Sequence, residues 1–191
     1  MDLARKKEII LERESNFATA VGCAVVEKPK ATSWIVLMPF LFIFLINDML
    51  KFKRNRRKFD DEFMTNRRQA MEVAFEAAHS GTKPDIGRVV QNTNAVAALE
   101  KPYAALIDAL VDHYLELLLA AGDSFEALVR SAYRSRTNYL LILHRLNMVE
   151  KEFYTALKAC MKTTDGADDV IAAIQNESQR LRRDHVEQVF A

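Results

Sequence analysis

Two pairs of residues in this chain have the types and spacing that could hold a metal ion. Glu76 and His79 form a Glu-x-x-His pair, and His113 with Glu116 gives the reversed spacing. In a helical bundle, a di-iron or di-manganese centre takes a Glu from each of two helices and a Glu-x-x-His from each of the others. Such ligands must face inward, and the helical phase decides against both pairs. At about 100° per residue, the apolar stripe of 59–79 holds Phe63, Ala70, Ala74 and Ala77, with Glu76 and His79 on the far side. In 102–121 the stripe holds Tyr103, Ile107, Leu110, Tyr114 and Leu118. Asp108, Asp112 and Glu116 point away from it, and His113 falls at its margin. No second Glu-x-x-His exists, so no metal or cofactor is expected. His144 and His185 have no carboxylate at helical spacing. Phosphate-binding glycine loops, nucleophile elbows, Cys-x-x-Cys and His-Glu-x-x-His are all missing from the sequence. The expectation is a protein without catalytic activity, the alternative being a small helical-bundle enzyme or metal-binding protein.

Two polar residues interrupt an otherwise apolar seam. Phe125, Val129, Ala132, Arg136, Tyr139, Leu143, Leu146, Glu150, Phe153, Leu157 and Cys160 recur at spacings of four and three. This predicts one long helix over about 124–162 with a heptad stripe. Arg136 and Glu150 lie seven residues either side of Leu143, in one class of heptad position. Polar residues on a seam set register or partner choice. Each could meet a polar group of another helix in the same chain. In a homo-oligomer through 124–162, antiparallel pairing of two copies would instead bring Arg136 toward Glu150 of the second.

The elements that must carry these residues read as helices throughout. Glycine and proline are scarce, five and four in 191 residues, and no alternating strand pattern appears. Helices are expected over 2–26, 33–52, about 59–79, 85–121 with an interruption or kink before Pro102, 124–162 and 167–190. Ser124, after "AGD", is placed to cap the start of the long helix. The fold class is therefore all-α, an antiparallel helical bundle with an N-terminal membrane-associated helix or helical hairpin. Two cysteines, Cys23 and Cys160, form no disulfide framework and suit a reducing compartment.

One segment departs from the amphipathic pattern. "WIVLMPFLFIFLI", Trp34 to Ile46, is thirteen apolar residues on every side of a helix. "KFKRNRRK" follows at 51–58, with Lys51, Lys53, Arg54, Arg56, Arg57 and Lys58 filling six of eight positions. A spanning helix needs about 20 residues, which 31–50 supplies only with Asn47 and Asp48 near one end. Trp34 suits an interfacial anchor, Pro39 suits a kink, and Phe40, Phe42, Phe44 and Ile46 supply apolar surface. A basic collar beside anionic lipid adds about 1 kcal/mol per cation. A soluble adaptor with 34–46 in its core is the competing reading. With a net charge of +1 and no aromatic-studded basic surface, nucleic acid is not an expected partner.

The domain reading is 1–32 as an amphipathic helix and loop, 33–52 as the membrane-associated helix, 53–58 as the basic collar, and 59–191 as a cytosolic bundle. Positive-inside bias puts 51–191 on the cytosolic side of the cell membrane. The expected function is a membrane-anchored interaction or scaffold protein whose partners are membrane lipids and an unidentified protein.

Overall fold

The computed structural model describes residues 1–26, 55–91, 97–160 and 167–191. Among these the chain is all-α, with seven helices: α1 Leu3–Val26, α2 Asn55–Ser80, α3 Gly87–Gln91, α4 Ala97–Leu119, α5 Phe125–Tyr133, α6 Arg136–Cys160 and α7 Ala167–Val189. The expected membrane residues Trp34, Pro39, Phe40, Phe42, Phe44 and Ile46 lie outside the described residues, as do Lys51, Lys53 and Arg54. Arg56, Arg57 and Lys58 belong to the start of α2. Among the described residues no helix is long and apolar enough to cross a membrane.

The packing centres on α4. Eleven of its 23 residues are buried, and they are spread around the helix rather than confined to one stripe. A helix so apolar is stable only if covered on several sides, and α1, α2, α5 and α6 all touch it. Ile107, Leu110, Tyr114, Leu117 and Leu118 are nearly or fully inaccessible, each burial contributing about 1.5–3 kcal/mol. From α2 come Phe63, Met71 and the small residues Ala70, Ala74 and Ala77, which let the two helices approach closely. The helix α1, set apart from the bundle in the sequence reading, contributes Ile10, Ala18 and Val21 to the same core.

Contacts along the helices give their directions. Lys7 meets Glu72, Glu14 meets Arg67 and Phe17 meets Phe63, so α1 and α2 run oppositely. The Lys6 Nζ donates to the carbonyls of Leu118 (2.8 Å) and Ala120 (2.6 Å), satisfying acceptors at the end of α4. Glu14 lies beside Tyr114 further along, so α1 also opposes α4. It follows that α2 and α4 run the same way, a departure from the alternation expected of neighbouring helices. The helix α3 lies between them in the sequence. In the second half, α6 opposes α4 through Tyr103 with Phe153 and Asp108 with Arg145, and α7 opposes α6.

Two features differ from the expected elements. The helix α4 begins at Ala97 and continues through Pro102. The single helix expected over 124–162 is two, because Arg134 adopts a left-handed conformation at φ 61°. Local hydrogen bonds favour the break. Arg134 N–H donates to the Arg130 carbonyl and closes α5. The Ser135 hydroxyl then accepts from the Asn138 N–H (3.2 Å), and the Asn138 amide donates to the Tyr133 carbonyl (3.0 Å). Side chains thus satisfy both free helix ends at once. Ser124 caps α5 as expected, its hydroxyl accepting from the Ala127 N–H. Just before it, Gly122 sits at φ +156° with the Leu128 nitrogen 2.8 Å from where a Cβ would stand, so only glycine fits that turn.

Candidate functional site

Four helices each bring one charged residue into the interior. Glu14 follows Ile10 and precedes Phe17 and Val21 on α1; Arg67 lies between Phe63 and Ala70 on α2. Glu150 lies between Leu146 and Phe153 on α6, and Arg182 between Ser178 and His185 on α7. Every one occupies a position that the three-and-four spacing of its own helix turns inward.

The four side chains form one chain of ion pairs. Arg67 Nε donates to Glu14 Oε2 at 2.7 Å, and Arg67 Nη2 to Glu150 Oε1 at 3.2 Å. Arg182 grips the same Glu150 carboxylate with two bonds of 2.7 Å and also donates to the Asn147 side chain. The guanidinium of Arg67 lies 3.8 Å from the Phe63 ring centroid, and that of Arg182 is 5.3 Å from the Phe17 ring. Planar guanidinium groups suit this combined forked and stacked environment, where an ammonium would not.

Burial alone would push the Glu150 carboxyl up, but Arg182 and then Arg67 outweigh it and hold the group below its ordinary value. Burial pulls the Arg67 guanidinium down, and the Glu14 and Glu150 carboxylates more than reverse that. Glu150, Arg67 and Arg182 therefore keep their charges inside the protein. Two cations face two anions, a balance that a dry interior requires.

An aromatic and imidazole layer adjoins this network. His113 Nδ1 is 2.5 Å from the Tyr133 hydroxyl, and His185 Nδ1 is 3.0 Å from the Tyr139 hydroxyl. The Tyr133 and Tyr139 rings stack at a centroid distance of 5.2 Å. Burial, helped by the nearby Arg182, pulls His113 down to about 3. Burial and then Arg13 pull His185 down to about 4. Both imidazoles are neutral at pH 7. Burial pushes the Tyr114 hydroxyl well up and the adjacent Glu14 carboxylate adds to it, although the hydroxyl makes no hydrogen bond of good geometry. A partly open pocket of about 40 Å³ adjoins both groups, lined by residues that include Glu14, Phe17, His113, Tyr139, Arg182 and His185.

The expected site residues are distributed differently. Glu150 is buried and committed to arginines of its own chain, whereas Arg136 is exposed and pairs with Glu187. Glu76, His79, Glu116 and His144 are exposed. His113, expected at the margin of its stripe, is buried against Tyr133, because α5 folds over that side of α4. Among the described residues no three His, Cys, Asp or Glu side chains cluster as a metal would need. Sequence reasoning missed Glu14, Arg67 and Arg182 as interior charges. The signal was available, since each interrupts an apolar stripe in the manner already noticed for Glu150.

Chemically, the ion-pair chain is closed: its two carboxylates are bonded to the two arginines of the same network. Its evident capacity is to join α1, α2, α6 and α7 in one register. Compared with known protein families, curated proteins and solved structures, the chain finds no match.

Proposed function

We propose that this chain is a membrane-anchored helical interaction or scaffold protein without catalytic activity, held at the cell membrane through residues 33–52. The observation that carries the reading is the apolar run Trp34–Ile46 followed directly by the basic block 51–58. The packing of α1 adds a topological argument. Because α1 and α2 run oppositely and meet at Phe17 and Phe63, Val26 and Asn55 leave the helix pair at the same end. A single span between them would put α1 across the bilayer from Arg67, its partner. Two spans of about 20 residues each exceed the 28 positions between Val26 and Asn55. The reading that suits both facts is a re-entrant or in-plane hairpin turning near Pro39, with residues 1–26 and 51–191 together on the cytosolic side.

For a protein partner, the supporting surface is the outer side of α6, where Leu140, Leu141 and Met148 are exposed. The closed interior network favours a rigid module over an enzyme, since no charged group in it is left to react. The test is membrane fractionation of the full chain, with a protease-sensitive tag at each terminus. The chain should stay with membranes through carbonate washing and release only in detergent, and both tags should be cut from the cytosolic side. Recovery of the full chain in the soluble fraction without detergent would overturn the anchor. Tags on opposite faces would overturn the hairpin.

A further inference from the structure

Two residues, Arg134 and Ser135, separate α5 from α6, and the turn they make runs against the pattern on either side. Arg134 holds φ at 61°, a conformation that residues with a Cβ adopt rarely. On a helix drawn straight through from 125 to 160, the ten buried residues of α5 and α6 fall within an arc of about 160°. One buried stripe is thus shared by two helices that a two-residue turn holds apart. The polar interior divides at the same place. Glu14 and Arg67 pair within α1–α5, while Glu150 and Arg182 pair within α6 and α7. His113 meets Tyr133 in the first group, and Tyr139 meets His185 in the second. Each group therefore carries a balanced charge pair and its own imidazole–phenol contact. The interior ion pair that crosses between them, Arg67 with Glu150 at 3.2 Å, is the longest of the three.

We propose that two copies of this chain dimerise by exchanging α6 and α7, with Arg134 and Ser135 straightening into one helix over 125–160. A second copy offers the same faces of α6 and α7 that the first gives up, so the fit between copies is that of the closed chain. The group α1–α5 of one copy then packs against α6 and α7 of the other. Tyr103 meets Phe153, Asp108 meets Arg145 and Arg67 meets Glu150, now between chains. Every contact of the closed chain is kept except at the hinge, so the exchange costs little beyond association itself. Short hinges under strain favour it. Straightening relieves the left-handed Arg134 and joins two helical ladders, while giving up the caps made by Ser135 and Asn138. The balanced pairs matter while the groups are apart, since neither is left with an uncompensated interior charge. This inference does not rest on the membrane reading, because the hinge and both groups lie within the described helices.

The test is the protein mass of the detergent-solubilised full chain, read by light scattering over a concentration series after mild urea has been used to speed exchange and then removed. A concentration-dependent dimer is expected. Cross-linking separates exchange from side-by-side association. In a chain carrying Asp108→Cys and Arg145→Cys, with Cys23→Ser and Cys160→Ser, a short bismaleimide should join two chains covalently when the sample is dimeric. A dimer of closed chains would be linked only within each chain. The hinge variants should move the equilibrium in opposite directions. Ser135→Ala removes a cap from each of two hinges and should lower the dimer dissociation constant roughly tenfold or more. Arg134→Gly, which eases the left-handed turn and disfavours a continuous helix, should raise it by a similar factor. A chain that stays monomeric throughout, a dimer linked only within its chains, or a dimer indifferent to both hinge variants overturns the exchange.

Discussion

Arg136 and Glu150 occupy equivalent positions in the periodic pattern of 125–160, yet one lies on the surface and the other inside. Glu150 is buried and bonded to two arginines, while Arg136 is half-exposed and pairs with Glu187. The left-handed turn at Arg134 accounts for the difference. It ends one helix and restarts another, so Arg136 stands at a helix start rather than in a helix interior. Arg136 becomes the first residue of α6, where side chains still have access to water, whereas Glu150 lies four turns further in. Within one unbroken helix, the same periodic position is buried only where other helices cover it.

The largest effect is expected at the buried end. Arg182→Ala should destabilise the protein by about 3–5 kcal/mol, because it leaves Glu150 with one weaker partner in a dry interior. Urea unfolding at pH 7 measures this, and a loss under 1 kcal/mol would mean the network is far wetter than its burial implies. Acid provides the next test. The unfolded chain's histidines titrate near 6.5, above the folded values of about 3 for His113 and about 4 for His185. The unfolded state therefore takes up protons first, and stability falls as pH drops below about 6.5. At pH 5 each histidine should account for roughly 2 kcal/mol. His113→Gln should remove about half of that pH dependence between 7 and 5. Glu150 acts in a lower window: its depressed carboxyl contributes stability above about 4.3, lost as pH falls through its folded value. The smallest effect belongs to the exposed partner of the comparison. Arg136→Ala should change stability by no more than about 0.5–1 kcal/mol, as for surface ion pairs. A cost equal to that of Arg182→Ala would erase the distinction drawn here.

The helical class was legible because scarce glycine and proline and three-and-four spacing say the same thing along the whole chain. The Ser124 cap was legible too, as a short polar side chain between a glycine turn and an apolar run. The break at Arg134 was harder to see. Its hydrogen-bonding device, Ser135 with Asn138, competes with a heptad pattern that runs unbroken on paper. The parallel relation of α2 and α4 could not be read from periodicity, which reports a buried face and not the direction of its neighbour. The interior site was half legible. Glu150 stood out because its seam is long, while Glu14, Arg67 and Arg182 lie in shorter stripes where one charge passes for an edge residue. The pairing of those charges requires tertiary geometry that no single helix contains.

The bidentate grip of Arg182 on Glu150 also sets an order of assembly. The two residues are 32 positions apart. During synthesis at about 5–20 residues per second, Glu150 exists for roughly two to six seconds before its principal counter-charge has even been made. Until then α1, α2, α4 and α6 can collapse on one another only with that carboxylate facing Arg67 alone. The helix α7 is thus the one that completes charge balance at the centre. A chain that stopped before Arg182 would carry an unfinished interior, however well its earlier helices had formed.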